Sequence, residues 1–312
     1  MLDPFAGPGR FFKGNLHTHS TRSDAVREPA DVCALYREAG YDFLALTDHF
    51  LPKYGFPIVD TRPYRNHRFT TILGAETHAP ATEFGEPWHL LAVGLPDGFA
   101  PTAREERGPA LAARAAAAGA FVVIAHPAWY GLTIADADSI PAAHAIEVYN
   151  HTSAVKTDRG DGWFLLDTLL ARGRRLLACA TDDAHFRFPD WFGAWVMVKA
   201  AALEPEALLE GLKSGRYYST QGPEIHALEI GRDEVAVECS PASAIMLLGR
   251  GSAGATVFGE RMRGTRMPLD GLKPGGHLRI VVVDALGRRA WSNPLWLDGV
   301  SSGSPGASAP SD

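Results

Sequence analysis

Nine residues of metal-binding type recur before position 186: His17, His19, Asp24, His49, Glu76, His89, His126, Asp183 and His185. The first two stand in Asn15-Leu16-His17-Thr18-His19, which with Phe11 and Phe12 reads as a strand over residues 11–19. Residues two apart on a strand face the same side, so both imidazoles can reach one ion. Asp24 lies just past that strand and adds a hard oxygen, giving a mixed nitrogen and oxygen set that suits a first-row divalent metal. Nine ligands are too many for one ion of about four to six bonds, so two or three ions sharing a carboxylate are expected. Such clusters activate water and clamp an oxyanion.

The remaining ligands follow apolar runs that must position them. Pro29, Val32, Leu35, Tyr36 and Gly40 outline an amphipathic helix, and Asp42 to Thr47 is a buried strand that delivers Asp48-His49. Strand, helix and strand in that order make a βαβ unit of a parallel sheet. Residues 50–70 are rich in Pro, Tyr, Arg and His without periodicity and read as a long loop, a candidate lid. Strands at Thr71–Glu76 and His89–Gly94 place Glu76 at one end and His89 at the other, so the fourth strand must run antiparallel to the third. The alanine-rich run 109–118 is a helix, and Phe121 to Ala125 a strand leading into His126-Pro127. The pattern repeats through a strand at Ala145–Asn150, a helix at Trp163–Arg172 and a strand at Leu176–Ala180 that runs into Thr181-Asp182-Asp183-Ala184-His185. A strand at Trp195–Val198 and a helix from Pro205 to Gly215 complete this part. Polar residues thus collect beyond the carboxyl ends of strands, the rim where parallel α/β proteins build sites.

From about Gly222 the texture changes to short strands at 227–230, 234–239, 244–248, 278–284 and 291–297, which read as a small β-sandwich. The tail from Ser301 to Asp312 is Ser, Gly, Pro and Ala and is expected to be disordered. The chain has 312 residues with 46% hydrophobic content, enough for an ordinary core. A net charge of −6 excludes a general nucleic-acid footprint but leaves short oligonucleotides open as substrates. Cys33, Cys179 and Cys239 lie far apart in apolar runs and read as buried free thiols of a reducing compartment. The N-terminus has no basic region followed by an apolar one, and no 18-residue apolar run occurs, so a cytoplasmic protein without membrane association is expected.

The order His-x-His, Asp, Thr-Asp-His, Glu, His, His-Pro and Asp-x-His resembles the PHP (polymerase and histidinol phosphatase) family of metal-dependent hydrolases. Gly40-Tyr41-Asp42-Phe43-Leu44, Glu147-Val148-Tyr149-Asn150, Gly215 to Gly222 and Ala290-Trp291-Ser292-Asn293-Pro294 are similar to its carbaryl-hydrolase branch. The resemblance covers about residues 11–297. It implies an α/β chain with a distorted seven-stranded (β/α) TIM-like barrel over residues 1–221, a β-sandwich accessory domain over 222–299 and a disordered tail over 300–312. It further implies two or three Zn, Mn or Fe ions: one on His17, His19, Glu76 and Asp183, a second on Glu76, His89 and His126, a third on Asp24, His49 and His185. Every ligand position of the family pattern is filled. The Asp-x-His spacing selects Asp183, leaving Asp182 as a supporting residue or an alternative ligand, and Asp48 orients ligands without binding metal.

The activity implied is hydrolysis by activated water, with His17, His19, Glu76, Asp183 and His185 as the catalytic set and His185 or Asp183 passing a proton to the leaving group. A phosphoesterase acting on a small phosphate ester is the leading expectation. Hydrolysis of a carboxylic ester, carbamate or amide, including aryl esters, is the alternative, and a non-enzymatic metal-binding module the third. Arg22 is a candidate phosphate contact, Trp129 a pocket wall, and His78, Tyr149, Asn150 and His151 lie near the rim. Arg62, Arg65 and Arg68 lean toward phosphate, while Phe56, Tyr64 and Trp129 lean toward a neutral aryl ester. Trp163, Trp191 and Trp195 read as packing anchors, and His67, His144, His226 and His277 as structural or exposed. Oligomeric state has no sequence signal.

Overall fold

The computed structural model describes residues 3–272 and 276–297; the tail expected to be disordered lies outside them. Short runs of apolar residues buried on both faces form its inner strands. They are β1 (Arg10–Asn15), β2 (Phe43–Leu46), β3 (His49–Phe50), β4 (Thr70–Ala79), β5 (Trp88–Val93), β6 (Phe121–Ile124), β7 (Ala145–Asn150) and β8 (Leu177–Thr181). All four residues of β2 and of β6 are buried, as a sheet covered by helices requires. The helices are α1 (Pro29–Glu38), α2 (Gly108–Ala117), α3 (Ile134–Asp138), α4 (His151–Thr157), α5 (Trp163–Ala171) and α6 (Pro205–Lys213). Proline opens α1 and α6 where its missing N–H costs nothing.

Among the described residues the strands form a single hydrogen-bonded sheet with β9 (Trp195–Ala200) beside β1 and β10 (Tyr217–Thr220) beside β9. From β9 the order runs β1, β2, β4, β5, β6, β7, β8. Pairing is parallel along β1–β2–β4 and β6–β7–β8 and antiparallel on both sides of β5, as the placement of Glu76 and His89 requires. Gly14 lets β1 and β2 approach, because a Cβ there would lie 2.2 Å from the Phe43 ring. The two ends of this run meet through side chains rather than a ladder. Ser219 of β10 accepts from the Ala180 N–H and donates to the Ala178 carbonyl of β8. Asn293 accepts from the Ala178 N–H and donates to the carbonyls of Gly215 and Tyr217.

Beyond β10 the sheet continues through β11 (Ile225–Ile230), β12 (Glu234–Gly249), β13 (Gly254–Pro268), β14 (His277–Val283), β15 (Arg289–Ser292) and β16 (Leu295–Trp296). β15 pairs with β10, so these strands extend the first sheet. The two strands expected at 234–239 and 244–248 are one 16-residue strand, irregular in register between Glu238 and Ala244. β13 had no counterpart in the sequence reading. It is mostly exposed along its length and among the described residues pairs only with β12, so it needs no apolar alternation.

One further expectation is corrected. The first strand ends at Asn15, so His17 and His19 lie beyond it in a segment held by neighbours. The segment 50–70 carries the end of β3 and two single 3₁₀ turns, at Pro52–Tyr54 and Arg62–Tyr64, with Phe50 and Phe69 buried in the core. The three cysteines are buried and unpaired, as expected. Among the described residues no helix is long and apolar enough to cross a membrane.

The C-terminal strands are fastened to α5 by a forked ion pair. Arg279 donates from Nε and Nη2 to the two oxygens of Asp167, at 3.0 and 2.6 Å, and its guanidinium lies 3.8 Å over the Trp163 ring. The arginine side chain is 9% exposed, against 68% for Arg266 in its surface pair with Glu234. Arg279→Ala is therefore expected to lower unfolding free energy by about 1–2 kcal/mol, and Arg266→Ala by less than about 0.5 kcal/mol. Urea denaturation of both variants checks this; equal losses would remove the distinction.

Candidate metal centre

Glu76 stands near the end of β4, fully buried, and among the described residues six imidazoles surround its carboxylate. Oε1 lies 2.7 Å from His89 Nδ1 and 3.0 Å from His126 Nε2. Oε2 lies 2.5 Å from His49 Nδ1 and 3.6 to 3.8 Å from the Nε2 atoms of His19, His17 and His78. Sheet register builds this arrangement: His49 on β3 pairs with Glu76 on β4, and His78 two residues on faces the same side and pairs with His89 on β5. His78 is thus a member of the cluster that the sequence reading left at the rim, although strand periodicity from Glu76 points to it.

His17 and His19 are aimed by groups outside the cluster. The His17 carbonyl accepts from the Asp183 N–H, the Thr18 hydroxyl donates to the Ala45 carbonyl, and the His19 N–H donates to the Ala184 carbonyl. Their Nε2 atoms converge on Asp183 Oδ1 at 3.1 and 3.0 Å. Asp183 and His126 both have positive φ, 59° and 26°, a cost that residues at functional sites tolerate. Asp24 Oδ1 lies 3.4 Å from His49 Nε2 and 3.3 Å from His185 Nε2. His185 is fixed through its other nitrogen, 2.8 Å from the Asp183 carbonyl.

Three buried carboxylates support the ligands. Glu147 of β7 faces His17 Nδ1 at 2.7 Å and accepts from the Thr181 hydroxyl, the His126 N–H and Asn150 Nδ2. It fixes the His17 ring so that Nε2 faces the cluster. A charged residue inside an apolar strand was the available signal for it. Asp48 accepts from the Ser20 N–H and from the Ser20 and Ser23 hydroxyls, so it holds the turn that carries Asp24. Asp182 accepts from the Tyr36 hydroxyl and the N–H groups of Phe192, Gly193 and Ala194. Burial pushes its carboxyl up to about 6, against those donors, and it faces this loop and belongs to none of the ligand groups.

Electrostatics follow the geometry. Burial would raise the Glu76 carboxyl, yet the histidines, His49 and His89 foremost, hold it well below the usual carboxylate range. Burial, then His185 and His49, drive His19 down to about 3, leaving it a neutral imidazole of the kind that binds metal. Burial opposes charge on His185 too, but Asp24 and Asp183 raise it to about 9.

Buried polar atoms without hydrogen-bond partners test whether this set fits metal. Among the described residues they include His17 Nε2, Glu76 Oε2 and Asp24 Oδ1, whose close neighbours lack hydrogen-bond geometry, and His19 Nδ1 and His126 Nδ1. Such atoms are costly unless something satisfies them, and imidazole and carboxylate donors at these positions fit divalent ions. Four groups have ligand atoms within 4.8 Å of one another: His19, Asp24, His49 and His185; His49, Glu76, His78 and His89; His17, His19 and Glu76; His17, His126 and Asp183. All nine expected ligands occur in them. The grouping differs from the one the resemblance implies in that His126 joins His17 and Asp183, and His49 and His78 join Glu76 and His89.

A cavity of about 390 Å³ opens on the cluster, with Trp129 in its wall. Two expected substrate contacts are not part of that wall. Arg22 is exposed and pairs with Glu28, and His151 lies 3.2 Å from the Tyr149 hydroxyl, packed against Gly193, where a Cβ would meet its ring at 2.0 Å. Arg62 is taken up by Asp60 and Asp97 and Arg65 by Thr71, while Phe56 lines a separate apolar groove of about 330 Å³ beside His78.

No family model and no curated protein matches the chain. Among solved structures it is similar to a two-domain protein containing a predicted PHP-like metal-dependent phosphoesterase from Bacteroides vulgatus ATCC 8482. The TM-score is 0.54 at 16% identity, over 90% of this chain and 94% of that one. An amidohydrolase from Chromobacterium violaceum has a TM-score of 0.45 at 15% identity over 57% of this chain and 89% of its own, too low to add to the assignment. The chain is a mixed α/β protein with a large sheet and the PHP-like fold, as the sequence resemblance implied.

Because Glu147 orients His17 without joining the cluster, Glu147→Gln is expected to weaken divalent metal binding by about 10- to 100-fold. Titration of metal-stripped protein with Zn or Mn, alongside circular dichroism to confirm folding, measures it. Unchanged affinity would show that Glu147 does not act through His17.

Proposed function

We propose that the chain is a metal-dependent hydrolase of the PHP family and that its reaction is phosphoester hydrolysis. The observation that carries this is Glu76: one buried carboxylate whose two oxygens face different imidazoles, beside buried ligand atoms without partners. Glu76 would bridge two ions, and Asp24, His49 and His185, with His19 beside them, would hold a third. His17 and Asp183 complete the Glu76 side together with His89 and His126. Nitrogen and oxygen donors of this kind suit Zn, Mn or Fe. Bound ions would supply Lewis acidity and lower the pKa of water.

The protein's own groups do the rest. Glu147 and Asp48 keep the ligands in place, and the cavity admits the substrate beside Asp183 and His185. The run from β1 to β8 is proposed as a distorted seven-stranded barrel, and β11 to β16, which continue the same sheet, as an accessory β-domain at its seam, where Asn293 and Ser219 join β8 to β10. A cavity of about 390 Å³ favours a small molecule over an oligonucleotide. Trp129 and Phe188 in its wall favour, as the second reading, a carboxylic ester, carbamate or amide with an apolar group, the substrate class of the carbaryl-hydrolase branch.

Protein loaded with Mn or Zn is expected to hydrolyse an aryl phosphate faster than the matching aryl acetate. Glu76→Gln should lower kcat/KM by about 1000-fold or more while melting as a folded protein. Near-normal activity of the variant would contradict a bridging carboxylate at this position, and a preference for the acetate would favour the second reading.

A further inference from the structure

Part of the cavity lining is carboxylate and imidazole; the rest is different. It brings Lys156 and Arg187 together with Trp129 and Phe188. Lys156 sits in the last turn of α4, whose first turn is capped by Asn150 Oδ1 accepting from the Ser153 N–H. Arg187 rides on the loop after β8, where buried Asp190 accepts from the N–H groups of His185 and Phe186. Arg187 thus follows the cluster residue His185 on a pinned loop, and Lys156 is carried on a capped helix.

Their charges are not spent on the protein. Lys156 has no ion-pair or hydrogen-bond partner among the described residues, and Arg187 donates to the main-chain carbonyl of Asp24 and pairs with no carboxylate among them. Of the arginines that the sequence offered for phosphate, Arg22 and Arg62 are paired with carboxylates outside the cavity. Two uncommitted cations lining one cavity with a candidate metal cluster favour a ligand of more than one negative charge, and a guanidinium fork matches phosphate oxygens. Trp129 is 38% exposed and stands edge-on to His89 and His126, an apolar surface for the rest of that ligand.

We infer that Lys156 and Arg187 form an anion clamp, and that the substrate is a phosphomonoester whose aromatic or apolar group packs against Trp129 and Phe188. This rests on the phosphoesterase reading above and narrows it. A dianionic monoester uses the metal side and both cations, whereas a diester would place its second ester group where the cations stand. Arg187 touches the Asp24 backbone, so Lys156 gives the cleaner variant.

The test combines calorimetric binding of inorganic phosphate to Mn-loaded full-length protein with kinetics on 4-nitrophenyl phosphate, bis(4-nitrophenyl) phosphate and 4-nitrophenyl acetate. Lys156→Ala is expected to weaken phosphate binding about tenfold or more. It should lower kcat/KM for the monoester about 10- to 100-fold, chiefly through KM, with acetate hydrolysis within about twofold and metal content unchanged. Lys156→Arg should recover most of the loss, and the wild type should prefer the monoester to the diester. Phosphate binding unchanged in both Lys156→Ala and Arg187→Ala, no phosphate binding by the wild type, or a preference for the diester would each overturn the inference. Lys156-dependent phosphate binding without turnover of any phosphoester would uphold the clamp and overturn the phosphoesterase reading.

Discussion

A single carboxylate, Glu76, sets the terms for the rest of this molecule. It is fully buried, and burying an ionised carboxyl without compensation costs several kcal/mol or more by order of magnitude. The compensation comes from imidazoles on β3, β4 and β5 and from the segments after β1 and β6. Each of those strands must end at the same rim for the charge to be met, so the sheet order and the reversed direction of β5 are requirements of the site as much as of the core. Among the described residues, buried polar atoms of this set, Glu76 Oε2 among them, lack well-formed hydrogen bonds, so histidine hydrogen bonds alone do not complete the arrangement.

Around that centre the other buried acids divide the structural work. Glu147 sets the His17 ring, Asp48 holds the turn bearing Asp24, Asp190 holds the loop bearing His185, and Asp182 fixes residues 192–194 beneath it. Each accepts several donors, which is why they can be charged and buried without joining the cluster. The C-terminal strands contribute from outside: Asn293 joins β8 to β10 at the seam, and Arg279 locks β14 onto α5. They stiffen the elements that carry Asp183, although they bring no ligand of their own.

Much of this was legible in the sequence. His-x-His spacing, the ends of apolar runs and the reversal between Glu76 and His89 pointed to nine of the residues that the fold brings together, because most of them sit at or just beyond strand ends. His78 was equally accessible, being two residues from Glu76 on the same strand face. Other features were not. Arg22 is next to the cluster in sequence but turns to Glu28, since an arginine side chain is long enough to leave its neighbourhood. Lys156 on α4 and Arg187 on the loop after β8 come to one cavity only in the fold, and no local pattern reports that. β13 lacks apolar alternation because an exposed edge strand has no face to bury, and the sheet pairing of β15 with β10 is a long-range contact without a motif.

The account stands on the claim that Glu76 is shared between metal ions. Anomalous scattering from crystals grown with Mn tests it most directly. The account predicts at least two peaks, one near each oxygen of Glu76, within reach of His89 and His126 on one side and His49 on the other. A single peak away from Glu76, or none, would contradict it.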